Sequence, residues 1–176
     1  MPYAVTHVII AIVIADLYRD YIAKKKFSKW YVLIAGIAGL LPDADIPFSW
    51  IFNFIFGTNY SFHRLFTHSL LWFMLLFFIG AAVYYFAKKS SYKLLKWNVP
   101  KDAIVMFFMA MAFGWLVHIF LDCALSADGY LNIIPTIPLT ICPHPFGQTA
   151  LIGIDAIILM LWLIHEQWHH EIKDYI

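Results

Sequence analysis

The chain has 176 residues, of which 62% are hydrophobic and 13% charged, with a formal net charge of +1. Soluble domains average about 45–50% apolar and about 25% charged residues, so this composition excludes an ordinary soluble enzyme and points to a membrane protein. The near-neutral balance gives no sign of a nucleic-acid footprint, which needs a basic face, and no nucleic-acid partner is expected. No linker or repeat divides the chain, and 1–176 reads as one integral membrane domain.

Apolar runs occupy residues 5–23, 27–41, 69–87, 103–121 and 149–164, the second being short. A spanning helix needs about 17–25 residues, and lipid offers no partner for open backbone groups. The expectation is therefore an all-α, polytopic membrane bundle of five helices. The first run carries its charges, Arg19 and Lys24 to Lys26, after its apolar stretch. That order predicts an anchor with its N-terminus outside and not a cleaved signal. Lys24, Lys25, Lys26 and Lys29 follow helix one, and Lys88, Lys89, Lys93, Lys96 and Lys101 follow helix three. Basic loops stay in the cytoplasm. The connections 42–67 and 122–148, with Arg64 as their single Lys or Arg, then face outward.

This topology gathers the unusual residues at one face. His7 opens helix one from outside, Asp43 and Asp45 follow helix two, His63 and His68 precede helix three, and His118 and Asp122 close helix four. At 1.5 Å of rise per residue, Lys29 and Asp43 are roughly 21 Å apart, less than the ~30 Å hydrocarbon core. The expected site is recessed at the outer edge of the hydrocarbon.

The stretch "LPDAD" stops a helix at Pro42 and leaves two carboxylates at its end. They serve as turn caps, or they repel one another until a cation sits between them. In "HRLFTHS", Thr67 or Ser69 can cap the next helix, while His63 and His68 converge if His63 lies in the preceding loop. Arg64 offers a planar fork suited to phosphate. "HIFLD" puts His118 and Asp122 at i, i+4 on one face, a spacing by which bundle helices present metal ligands. His7 alone reads as a buried core histidine, but its placement at the same face makes it a ligand candidate. Four histidines and three carboxylates suit Zn²⁺, Mn²⁺ or Fe²⁺, as one ion or two. A two-metal site stabilises both oxygens of an in-line displacement at phosphorus.

Outside this face, His165, His169 and His170 read as a solvated cytoplasmic tail, and Asp16 and Asp20 as partners of Arg19 or nearby lysines. His144 lies between prolines in an outer loop, and Asp155 lies inside the last helix as a supporting residue or ligand. Cys123 and Cys142 match no zinc-ribbon spacing. They are plain apolar-site thiols, or a bridge if their loop faces an oxidising compartment. The aromatic stretch "FSWIFNFIFGTNYSF" is similar to an interfacial belt.

In this order the motifs Thr6-His7, "GLLPDAD", "HRLFTHS" and "HIFLD" resemble the YdjM/DUF457 family of membrane-bound, metal-dependent hydrolases, some of which carry the label LexA-binding inner-membrane-associated hydrolase. The resemblance covers His7 to Asp122 and departs at Leu65, where glycine is frequent. It implies metal ligands at His7, Asp43, Asp45, His63, His68, His118 and Asp122. A weaker, fold-level similarity is to zinc-dependent phospholipase C. The resulting expectation is a hydrolase of the cell membrane, its polar cluster on the extracytoplasmic side, that uses metal-activated water on a lipid or amphiphilic phosphoester. Arg64 and Asp45 take the catalytic roles. The alternatives are a metal-stabilised scaffold and a regulatory or transport protein; the apolar run "LLWFMLLFFIGAAVYYF" speaks against conduction.

Overall fold

The structure, a computed structural model, describes residues 4–24, 26–63, 66–94, 96–125, 131–134, 137–139, 142 and 148–168. It is mostly helical. Helix α1 (Ala4–Leu17) loosens into a π turn (Tyr18–Ile22), and α2 (Trp30–Ala38) runs into a 3-10 turn (Leu41–Ala44) that restarts as α3 (Asp45–Phe56). Then come α4 (Leu70–Phe86), an antiparallel hairpin of β1 (Ser91–Leu94) and β2 (Trp97–Pro100), and α5 (Lys101–Leu125). A second hairpin, β3 (Leu131–Ile134) with β4 (Ile137–Leu139), precedes α6 (Gln148–Trp168).

Among the described residues, α5 is the one single helix long and apolar enough to cross a membrane. The segments Trp30–Ala38 and Leu41–Phe56 meet the same test together, as a pair bent by 48°. Helix α4, at 17 residues, is a shorter apolar helix. Large apolar side chains cover the outside, among them Phe54 at 90% and Phe86 at 81% exposure. Apolar surface on this scale calls for an apolar surrounding.

The bundle is closest where α1, α2 and α5 meet. Ala15, Val32, Ala35 and Ala110 are buried there, ringed by Ile12, Phe27, Tyr31, Ile34 and Phe113. Small residues let helix backbones approach in lipid, where association depends on packing and not on escape from water. Gly114 marks the tightest contact: a Cβ there would meet the Ala35 carbonyl oxygen and lie 2.7 Å from Ala38 Cβ. Helix α5 also packs on α4, and α1 on α6. Lys101 Nζ donates to the carbonyls of Tyr84 at 2.8 Å and Ala87 at 3.3 Å, so the start of α5 caps the end of α4.

Two expectations differ from what is observed. The connection 42–67, expected as a loop, contains α3. Pro42 ends α2, yet at the start of the 3-10 turn its missing N–H is no loss, because the first turn's donors have no helical partner. The helical path therefore resumes at Asp45. Gly57 closes α3 in the left-handed conformation, φ 63°, where a side chain would be strained. Secondly, His165 is part of α6 and half-buried, not in a solvated tail. His169 and His170 lie outside the described residues.

Candidate metal centre

The site is built on the α2–α3 break. Asp43 sits in the 3-10 turn and Asp45 at the start of α3, so the break turns both carboxylates into the bundle. The chain after α3 is pinned back on it. Asn53 Oδ1 accepts from Thr58 Oγ1 and the Tyr60 N–H, each at 2.8 Å, and Asn53 Nδ2 donates to the Tyr60 carbonyl at 2.8 Å. Ser49 Oγ accepts the Phe62 N–H at 2.9 Å. These bonds deliver His63 to Asp45, and the Nδ1–H of His63 donates to Asp45 Oδ1 at 2.9 Å.

His68 and His118 arrive from the other side. The Nδ1–H of His118, on α5, donates to the Gly39 carbonyl at 2.7 Å, because a carbonyl oxygen can only accept. Thr67 Oγ1 gives its single proton to Asp45 Oδ2 at 2.6 Å. That hydroxyl lies 3.0 Å from His68 Nδ1 and must therefore accept from it. In the neutral rings both Nε2 atoms are then bare, and they face each other at 3.1 Å, where a proton on His68 Nε2 or a cation can join them. Trp115 Nε1 donates to the Thr67 carbonyl at 3.1 Å and fixes this segment against α5.

Carboxylates close the ring. His68 Nε2 is 3.3 Å from Asp43 Oδ1 and 3.4 Å from Asp122 Oδ2, and His118 Nε2 is 3.7 Å and 3.6 Å from the same two atoms. Ligands around one tetrahedral ion with bonds of about 2.0–2.1 Å are separated by ~3.4 Å. The five separations among the two Nε2 atoms and between them and the carboxylates bracket that edge. His7 Nε2 lies 3.5 Å from Asp122 Oδ1, and its ring stacks on His118 with centroids 3.9 Å apart. Three overlapping groups have donors within 4.8 Å of one another: His7–Asp43–His118, Asp43–His63–His68 and His68–His118–Asp122. Asp43, His68 and His118 each belong to two of them, so the groups form one continuous donor cluster.

The donor chemistry fits a divalent cation. Bare imidazole nitrogens crowded by two carboxylates are unfavourable without positive charge between them. Buried His7 Nδ1 and His63 Nε2 make no hydrogen bond among the described residues. His68, in the segment preceding α4, shows the demand directly. Burial opposes its charged form, yet Asp43, Asp45 and Asp122 outweigh burial and raise its pKa to about 9. Asp43 and His63 side chains are each 20% exposed, against 0% for His118 and 5% for His68, so the ring opens on their side.

All seven predicted ligands, from α1, the α2–α3 break, the 63–68 segment and α5, come together here. Asp45 differs in its engagement: its oxygens face His63 and Thr67, the arrangement by which a carboxylate orients a ligand. Arg64 and His144 lie outside the described residues, as does the side chain of Asp155. Sequence reasoning did not single out Gly39 or Trp115 for this site and saw Thr67 as a helix cap. The available signal was Trp115 at i−3 from His118, on one helical face. Cys123, next to Asp122, is bridged to Cys142, with Cα atoms 5.0 Å apart.

A family model described as YdjM inner membrane protein matches residues 1–173. No curated protein and no solved structure matches the chain.

Proposed function

The chain belongs to the YdjM inner membrane protein family, and from that premise we propose that it is a membrane-embedded, metal-dependent hydrolase of lipid or amphiphilic phosphoesters. The observation that carries this reading is the convergence of the Nε2 atoms of His68 and His118, 3.1 Å apart and flanked by Asp43 and Asp122. When bound, a Zn²⁺ or similar ion would supply a Lewis acid and lower the pKa of a coordinated water to about 7.

The chain's own residues do the rest. His68, His118, Asp43 and Asp122 would hold the ion, with His7 on the His118 side and His63 on the His68 side of the cluster as further donors. Asp45 fixes His63 and Thr67, and through Thr67 the ring of His68. Arg64, one residue after His63, is the candidate clamp for the phosphate charge. The partial exposure of Asp43 and His63 supports a reacting site over a closed structural one, which would surround its metal fully. Loop lysines and the Cys123–Cys142 bridge support an extracytoplasmic location. There, lipid headgroups are the phosphoesters within reach.

Purified protein in phospholipid vesicles tests the reading. Stoichiometric Zn²⁺ and release of headgroup phosphate or phosphoester are expected. Both should fall in His68→Ala and Asp122→Asn, turnover by at least ~100-fold, since even residues behind metal ligands act on that scale. Bound metal with no turnover on any lipid phosphoester would leave a metal-stabilised scaffold and defeat the enzymatic reading.

A further inference from the structure

We propose that Asp16, His165 and Glu166 form a second, separate divalent-metal site at the opposite end of α1 from the first. Asp16 is nine residues beyond His7 on α1, ~14 Å along the helix axis. The two clusters therefore share a helix but no ligand.

Three observations carry the assignment. Asp16, His165 and Glu166 each offer a donor atom, and these atoms lie within 4.8 Å of one another. Asp16 and Glu166 are each 1% exposed, deeper than carboxylates on a solvated helix end would be. Glu166 also divides its two oxygens. Oε2 accepts from Lys29 Nζ at 2.7 Å. Oε1, equally buried, makes no hydrogen bond among the described residues and lies 3.6 Å from His165 Nδ1. A buried carboxylate oxygen without a donor is costly, and the nitrogen beside it is a metal-ligand type at the separation of two ligands on one ion.

Lys29 explains why the cluster does not simply repel itself apart. It neutralises one carboxylate and orients it, leaving the other oxygen for a cation. Two carboxylates and one imidazole form an oxygen-rich donor set of the kind that suits Mn²⁺, Fe²⁺ or Zn²⁺ and not a thiolate-seeking ion. The cluster also borders open space. A cavity of ≈ 250 Å³ between α1 and α6 is lined by Asp16 and His165, with Trp162, Leu17 and Leu161 among its walls.

The rival is a purely internal ion-pair network in which a proton on His165 takes the place of the metal. The full chain in detergent, stripped by chelator and titrated with Zn²⁺ alone, separates the two. Against wild type, His165→Gln is expected to lose one equivalent of Zn²⁺ per chain while the equivalents removed by His118→Ala remain. A folded His165→Gln protein that binds as much Zn²⁺ as wild type overturns the proposal. If the variant does not fold, anomalous diffraction at the zinc edge from Zn²⁺-loaded wild-type crystals decides. A peak among Asp16, His165 and Glu166 supports the site, and none there beside an occupied outer centre overturns it. An empty outer centre would count against the hydrolase reading, not against this one.

Discussion

His68 is where a proton and a metal compete for the same place. Its charged form is opposed by burial but favoured more by Asp43, Asp45 and Asp122, which raise its pKa to about 9. In the metal-free protein, that charge contributes stability fully present below the ordinary histidine value and lost as pH rises through about 9. Metal binding runs the other way, because Nε2 must be bare to ligate and the proton must leave first. Zn²⁺ affinity should therefore fall about tenfold for each pH unit below about 9. Calorimetric titrations at two pH values, in buffers of different ionisation enthalpy, would show one proton released per ion from His68. An affinity independent of pH between about 6 and about 8 would remove His68 from the ligand set. Thr67 belongs to the same argument: by spending its proton on Asp45 it forces the tautomer that leaves His68 Nε2 bare.

At the scale of elements, the site depends on how closely α5 approaches the end of α2. His118 reaches the Gly39 carbonyl only because Gly114, one turn earlier on α5, has no side chain to hold Ala35 and Ala38 away. Gly114→Ala should cost ~3 kcal/mol, the upper range for overpacking against a backbone that cannot yield. It should also weaken Zn²⁺ binding although no ligand is changed. Thermal unfolding with and without Zn²⁺ would measure both; an unaltered melting temperature would show that the helices can separate freely. The candidate ligands were legible in the sequence because ionisable residues in an apolar chain are expensive and stand out. The lysine pattern then brought them to one face. Helix α3 was not legible, since Pro42 and Gly57 bracket only a short stretch whose aromatics suit a loop at an interface as well as a helix. The ring's supports were hidden for a different reason: Gly39 contributes a carbonyl, which every residue has.

For the whole molecule, the end of the bundle away from the metal centre was the least legible part. Lys29 reads as one more loop lysine and His165 as part of a polar tail, because charge near a helix end carries no signal of burial. In the fold, Lys29 is 2% exposed and locked to Glu166, so it has a structural reason to be basic apart from topology. The orientation then leans on the remaining lysines, and the Cys123–Cys142 bridge becomes its independent check. Disulfides persist in oxidising compartments and are rare in the cytosol, and this one sits directly after Asp122, at the candidate metal centre. If the centre faces outward, a membrane-impermeant reductant followed by an impermeant maleimide should modify both cysteines in intact cells. Cys123→Ser should also destabilise the chain by about 3 kcal/mol, the loop-closure scale for a bridge spanning about 20 residues. Labelling that requires permeabilised cells would place the bridge, and with it Asp122, on the cytoplasmic side. The metal centre would then be out of reach of outer-leaflet headgroups, and its substrate would have to be sought among phosphoesters on the inner face.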